Sequence, residues 1–443
     1  MIYRNLSIWK NIDKYLLVLC ISLIAFGYFT IYSSSFLGYE QDNSFWFHSY
    51  GKQMIWIIIS VLLGTLILLI EGNFIQNSSY IIYSVVIVLL IIVMFMPAIK
   101  GAKSWFQFGG FSIQPSEFAK LGCSLAFARY LSLINVRTQN IKNRIIAASL
   151  VVIPALLIMI QPDPGTMLVF IGFVFVLYRE GLSGNILLIG LFAVLIAVTG
   201  VFFKASALYI TIFGIEISGN LFFGFILLLG FTAAFFIIRY FVLPRYRREK
   251  FVRLAVVSVV GICITLSVSF VYDNMFKERH RNRFQIMFGI KEDRKGDGYN
   301  IYQALSAIGS GETFGKGYLR GTLSNDKFKH VPEQNTDFIF CVLAEEWGFM
   351  GCFVFILLYA AILIRMIMIA ERQRSRFTRI YGYCVTSILF FHFMINIGMV
   401  IGLAPVIGIP LPFFSKGGSA VLAFTLMIAI LLRLDAERKV VLR

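Results

Sequence analysis

The chain has 443 residues, 58% of them hydrophobic and 14% charged, where a soluble domain of this size carries about a quarter charged residues. This composition excludes a soluble globule, and the short alternating segments of a β-barrel are missing from it. A net charge of +17 would suggest nucleic acid in a soluble protein, but here most Lys and Arg fall in loops that the positive-inside rule assigns to the cytoplasm. Membrane lipid, not nucleic acid, is therefore the expected partner.

From the N-terminus, Met1 to Lys14 is polar and mixed, and Tyr15 to Ile31 is the first apolar run. No small-residue cleavage pattern follows that run, so it predicts a retained helix. Apolar run length predicts spans near 15–32, 54–70, 80–97, 117–134, 145–161, 165–179, 184–203, 219–243, 252–272, 338–364, 380–400 and 418–433. The fourth and sixth are short or interrupted, which sets the expectation at about ten to twelve transmembrane helices. The fold class is all-α polytopic membrane protein, and residues 1–443 read as one membrane domain with no soluble domain or internal repeat.

The basic loops fix an expected orientation. Arg129, Arg137, Lys142 and Arg144 follow the fourth span, Arg245 to Arg253 follow the eighth, and Arg372 to Arg379 follow the tenth. All fall on one side if the N-terminus starts there, which places both termini in the cytoplasm. One large loop, about 273–337, then lies outside, as do the segments at 97–116, 161–164 and 403–418. The loop is itself basic, which suits an anionic partner at the outer surface. The six cysteines lie in apolar runs without metal-ligand spacing and read as small hydrophobes.

Four outward segments combine turn residues with ionisable ones. In the first, Gln114-Pro-Ser-Glu-Phe-Ala-Lys120, Pro115 suits a first helical turn and Ser116 and Glu117 favour the same position. Glu117 and Lys120 share one helix face, either as a functional pair or as a salt bridge pinning the helix to a neighbour. In the second, Gln161-Pro-Asp-Pro-Gly-Thr166, the reading is a rigid connection with Asp163 as a cap. The third is the large loop, where Asp293 stands among Lys291, Arg294 and Lys295. Positive neighbours keep such a carboxylate ionised and able to act as a general base, and a solvated charge cluster is the alternative. The fourth runs from Gly402 to Ser419, where Pro405, Pro410 and Pro412 forbid a continuous helix. A broken segment at membrane depth must be buried or line a cavity, which Lys416 would face. Glu345 and Glu346, ~10 Å below the outer end of the tenth span by helical rise, are further intramembrane carboxylates, one of which is expected to pair with a cation.

Trp105, Gln114-Pro-Ser-Glu-Phe-Ala-Lys120, Gln161-Pro-Asp-Pro-Gly-Thr166, Gly298-Tyr299, Ala307-Ile-Gly-Ser-Gly311, Pro332-Glu-Gln-Asn-Thr-Asp-Phe-Ile-Phe340, Ala344-Glu-Glu-Trp-Gly348 and Gly408 to Ser419 occur in that order. The set resembles the motifs of the shape, elongation, division and sporulation family of peptidoglycan glycosyltransferases. The stretches Pro405 to Phe414 and Gly315 to Thr322 look more like its rod-shape branch than its division branch. Residues 184–243 then read as a helix pair added to the family's usual ten or so spans.

The resemblance implies a lipid II polymerase at the outer face of the cytoplasmic membrane, acting in cell elongation and extending a nascent glycan strand. A class B penicillin-binding protein, a transpeptidase, is the implied partner. Asp293 falls in the register of the family's catalytic aspartate, with Asp297 as competitor. Glu117 and Lys120 fall on its cavity pair, and Arg283 on an upstream basic residue. Trp105, Gln114, Ser116 and Lys416 would support the cavity. No dedicated metal site is implied, although a divalent cation, Mg or Mn, is compatible with a diphosphate leaving group. The sequence departs from the family at Arg294, where proline is usual, at Lys416, where tyrosine is usual, and at Glu312, where glycine is common. The rival readings are a flippase for the same lipid, a scaffold that recruits a synthase, and the division-specific paralogue.

Overall fold

Out of water, a backbone must satisfy its own hydrogen bonds, so apolar runs become helices. The computed structural model of the chain is accordingly helical nearly throughout and describes residues 11–35, 48–97, 103–108, 111–136, 139–206, 209–212, 215–274, 278–291, 298–324 and 331–439. In chain order the elements are α1 (Lys14–Ser34), α2 (Ser49–Leu69), α3 (Gly72–Asn77), α4 (Ser79–Val93), β1 (Phe106–Phe108), β2 (Phe111–Ile113), α5 (Pro115–Ser132), α6 (Ile141–Ile160), α7 (Pro164–Val169) and α8 (Phe173–Arg179). There follow α9 (Gly184–Ala205), β3 (Tyr209–Ile212), β4 (Ile215–Ser218), α10 (Gly219–Phe241), α11 (Pro244–Asn274), α12 (Glu278–Met287), α13 (Tyr299–Ser310), α14 (Ile339–Glu371), α15 (Arg376–Val400) and α16 (Gly418–Ala436).

Nine helices among the described residues are long and apolar enough to cross a bilayer: α1, α2, α6, α9, α10, α11, α14, α15 and α16. The other three predicted spans also form helices, each with a visible reason for falling short. Helix α4 has 15 residues, α5 carries Glu117, Lys120 and Arg129, and Pro164–Arg179 is interrupted by a 3-10 turn at Phe170–Gly172.

The described residues form two compact units, Met1–Leu182 with Gln303–Arg443, and Ser183–Tyr302. At the heart of the first lies α5, buried along almost its whole length. Its small residues Ala119, Gly122, Ser124, Ala126 and Ala128 let neighbours approach closely, as membrane helix interfaces require. Its polar residues Ser116, Glu117, Lys120 and Ser124 are buried in protein, not exposed to lipid. Around it α4, α6, α15 and α16 pack, and the aromatic rings of Phe355, Tyr359, Phe393, Phe414 and Phe424 fill the centre. Outward faces of α1, α2, α4 and α6 present Val, Leu and Ile, as lipid-facing surfaces do.

In the second unit α9, α10 and α11 pack together, and β3 and β4 form an antiparallel hairpin pairing Tyr209 with Ser218. Helix α12 docks on the ends of α9 and α11. Gln285 Nε2 donates to the Ala205 carbonyl at 3.4 Å, Phe288 meets Phe202, and Arg281 lies over Tyr272. The ion pair Lys204–Asp273, at 2.7 Å, ties α9 to α11 beside it. Two helices, α12 and α13, therefore occupy much of the loop predicted at 273–337.

Candidate functional site

Helix α5 starts where the sequence says it should. Gln114 is the extended N-cap residue, Pro115 opens the first turn, and Glu117 sits in that turn. Asp163 caps α7 as expected, accepting from Thr166 N at 3.1 Å and from its hydroxyl at 2.8 Å. It also accepts from Gln114 Nε2 at 2.8 Å and, more weakly, from Ser116 Oγ at 3.5 Å. One carboxylate thus joins the Gln-Pro-Ser-Glu and Gln-Pro-Asp-Pro motifs.

One turn into α5, Lys120 Nζ bonds Glu117 Oε2 at 2.7 Å and His392 Nε2 of α15 at 2.7 Å. All three side chains are essentially sealed from solvent, at 0%, 1% and 0% exposure for Lys120, Glu117 and His392. His392 Nδ1 faces the Pro410 carbonyl at 3.2 Å. A carbonyl can only accept, so Nδ1 carries the proton, Nε2 is the acceptor, and the lysine donates to it. The geometry is that of a neutral imidazole against an ammonium ion paired with a carboxylate. The Phe424 ring stands 4.7 Å from Nζ and adds a cation–π contact. Glu117 Oε1 is buried without a hydrogen-bond partner among the described residues.

The broken segment before α16 closes over the same end. Asn396 Nδ2 donates to the carbonyls of Ile409 at 2.6 Å and Asp337 at 2.9 Å, and Leu411 N donates to Ser415 Oγ at 2.7 Å. Lys416 is half-buried and reaches Ser49 Oγ of α2 at 2.8 Å, while its backbone N–H donates to Asn335 O at 2.8 Å. Asn335 bonds Ser34 and Ser35 at the end of α1. Trp105 is half-buried just ahead of β1.

A third construction surrounds Glu345. Helix α14 breaks at Gly348, whose φ of +62° and ψ of −160° only glycine adopts readily. The strap Gly311–Ser324 fills the break. Lys316 N and Gly317 N cap the carbonyls of Glu345 and Glu346, and Phe349 N and Met350 N donate to Glu312 O and Thr313 O. Glu345 draws the strap in, accepting from Lys316 Nζ at 2.6 Å, Thr322 N at 2.8 Å, Leu323 N at 3.0 Å and Ser324 N at 2.9 Å. The paired carboxylate expected in this helix is therefore Glu345. Glu346 bonds Ser33 of α1, and its other oxygen is buried without a partner among the described residues. Tyr318 donates to Phe29 O at 3.3 Å, and burial, with Glu346 nearby, pushes its hydroxyl up to about 12.

Gln114, Ser116, Glu117, Lys120 and Lys416 thus all lie at one end of the first unit. Arg283 lies half-buried on α12 in the second unit. Asp293 and Asp297 fall outside the described residues. Sequence reasoning missed His392, Asn335 and the role of the strap. A histidine inside an apolar span was a usable signal for the first, since intramembrane ionisable groups default to function. Among the described residues no three His, Cys, Asp or Glu side chains are grouped to hold a metal ion. Chemically, the arrangement holds buried charge rigidly at one end of a helical bundle.

The family profile for the FtsW, RodA and SpoVE cell cycle proteins matches residues 14–251 and 229–440. Peptidoglycan glycosyltransferase MrdB of Escherichia coli strain K12 is 31% identical over 431 residues, covering 97% of this chain and 95% of that protein. Peptidoglycan glycosyltransferase RodA of Treponema pallidum is 29% identical over 441 residues, covering 97% and 98%. In three dimensions the chain is similar to rod shape determining protein RodA of Thermus thermophilus, with a TM-score of 0.59, 22% identity and coverage of 97% and 99%. It is also similar to a chain of a peptidoglycan synthase complex described as coordinating polymerization and crosslinking, with a TM-score of 0.68, 24% identity and coverage of 97% and 98%. The two structural likenesses establish the fold.

Proposed function

The chain belongs to the FtsW, RodA and SpoVE family and is a peptidoglycan glycosyltransferase; we propose that it polymerises lipid II into glycan strands at the outer face of the cytoplasmic membrane, on the cell-elongation branch of that family. The observation that carries this reading is convergence. Residues from five separated segments, Gln114–Lys120, Asp163, Asn335, Glu345 and Lys416, lie at one end of the first unit, and its ion-paired arginines occupy the other. The positive-inside rule puts the arginine end in the cytoplasm and the motif end outside, with both termini cytoplasmic.

In the proposed reaction Asp293 takes the proton from the 4-hydroxyl of a lipid II GlcNAc. That oxygen attacks C1 of the MurNAc at the reducing end of the growing strand, with inversion, and undecaprenyl diphosphate leaves. A base in hydrogen-bond reach supplies roughly 10²–10⁴-fold. Arg283, earlier in the same loop, supplies charge for the leaving diphosphate. Lys120 is sealed between Glu117 and His392, so its role is to hold α5 against α15, not to touch the sugar. A divalent cation would be held largely by the diphosphate itself, as hard cations usually are in such sites. The proposed partner is a class B penicillin-binding protein that crosslinks the product.

The test is polymerisation of purified lipid II by the purified protein, with and without such a partner. Wild-type protein should make glycan strands, and Asp293→Asn should lower the rate at least about a hundredfold. An unchanged rate in Asp293→Asn removes the proposed base. Lipid II that crosses the bilayer without polymerising identifies a flippase instead.

A further inference from the structure

At the arginine-rich end of the first unit, five carboxylates are taken up in ion pairs. Arg365 and Arg372 pair with Asp13, Arg372 and Arg438 with Asp435, Arg179 with Glu371, Arg433 with Glu437 and Arg379 with Glu180. Two arginines are placed differently. Arg129, near the end of α5, and Arg376, at the start of α15, line a cavity of about 530 Å³ together with Gln76, Ser132, Asn135 and Ser375. Among the described residues no carboxylate lines it. Arg129 makes a hydrogen bond to Asn77 Oδ1 at 3.3 Å. Arg376 meets Glu180 only at 3.7 Å, and that carboxylate already takes three bonds from Arg379 at 3.0, 3.1 and 3.2 Å.

Guanidinium groups present planar forks that match phosphate oxygens, and the neutral amides and hydroxyls around them add further donors. A phosphate is therefore the complementary ligand. The rim says which phosphate. Ile134 is 94% exposed, Leu133 is exposed beside it, and Phe74 projects from α3 next to Gln76. A soluble anion has no use for an apolar rim, whereas a phospholipid has acyl chains to lay along it. Basic pockets at the ends of membrane helices suit anionic headgroups for this reason.

We propose that this cavity binds the phosphate of an anionic phospholipid in the leaflet at the arginine-rich end, with Arg129 and Arg376 on the headgroup and the acyl chains over Leu133 and Ile134. The bound lipid bridges α5 and α15, the helices that carry Lys120 and His392. The site is independent of the glycosyltransferase reading.

The experiment uses full-length protein, delipidated in mild detergent and followed by thermal melting during titration. The titrants are phosphatidylglycerol, phosphatidylcholine and inorganic phosphate. Phosphatidylglycerol should raise the melting temperature of the wild type, and the other two should not. The double variant Arg129→Gln/Arg376→Gln should need about thirtyfold more phosphatidylglycerol, the product of two guanidinium–headgroup contacts. Equal response of the double variant and the wild type overturns the site, as does equal response of the wild type to phosphatidylcholine. Equal response to inorganic phosphate overturns the lipid and leaves a soluble-anion site. Should the double variant not fold, Arg376→Gln alone, expected to need about fivefold more lipid, decides between the same outcomes.

Discussion

Lys120 shows how a charge survives inside a membrane helix. Its ammonium ion has a carboxylate on one side and an imidazole lone pair on the other, so every part of the triad depends on the rest. Removing one partner of a buried pair leaves an uncompensated charge, which costs ~3–5 kcal/mol. Lys120→Met should therefore lower stability more than the double variant Glu117→Gln/Lys120→Met, as read by thermal melting. The reverse order would mean that Glu117 finds another partner. At the far end, Asp13 caps α1 and receives Arg365 and Arg372. Burial alone would raise its pKa, but hydrogen bonds from Arg365, Leu16 N and Arg372 outweigh burial and hold it below the usual value. A depressed folded-state pKa contributes stability above the unfolded value near pH ~4 and loses it as pH falls through the folded one. The stability gap between wild type and Asp13→Asn should be full at pH 7 and close towards pH 3. The Glu117–Lys120 contact was legible in the sequence, because residues three apart on a helix share a face. His392, 272 positions away from Lys120, was not, because only packing of α15 against α5 brings it there.

At the scale of elements, the break in α14 and the strap Gly311–Ser324 form one object. A Cβ on Gly311 would stand 1.9 Å from Ala344 O, and one on Gly315 would stand 2.1 Å from Glu346 O. Neither contact can be relieved by a flexible side chain. Gly348→Ala would also force a residue with a side chain into a region that costs about 1–3 kcal/mol, against a Cβ 2.4 Å from Gly315 N. It should lower the melting temperature and speed hydrogen exchange at residues 316–324, while exchange at the N-terminus of α1 stays unchanged. Protected strap amides in Gly348→Ala would show that the interlock does not need the glycine. The sequence displays these glycines as separate motifs and places Glu345 at the right depth. It does not show that the motifs interlock, since the bonds run between backbone atoms from segments more than 20 residues apart.

For the whole molecule, the decisive property is polarity of charge. The first unit gathers its motif residues at one end and its paired arginines at the other, and the proposed orientation follows from that division. A membrane-impermeant maleimide should label Thr313→Cys in intact cells, in a background lacking Cys263, and should label Arg374→Cys only after the membrane is opened. Both positions are exposed, so access decides the result. Labelling in the opposite order would invert the topology and take the proposed polymerisation at the outer face with it. The sequence by itself determined the membrane class, most of the helices, their termini at Pro115 and Asp163, and the family, because hydropathy, capping and ordered motifs are local properties of the chain. Tertiary structure alone decided that α5 is buried in protein and not in lipid, that His392 completes the lysine pair, that the strap mends the broken helix, and that Arg129 and Arg376 share a cavity. Each of these is a contact between distant segments, and such contacts are fixed by how helices pack, which no local pattern records.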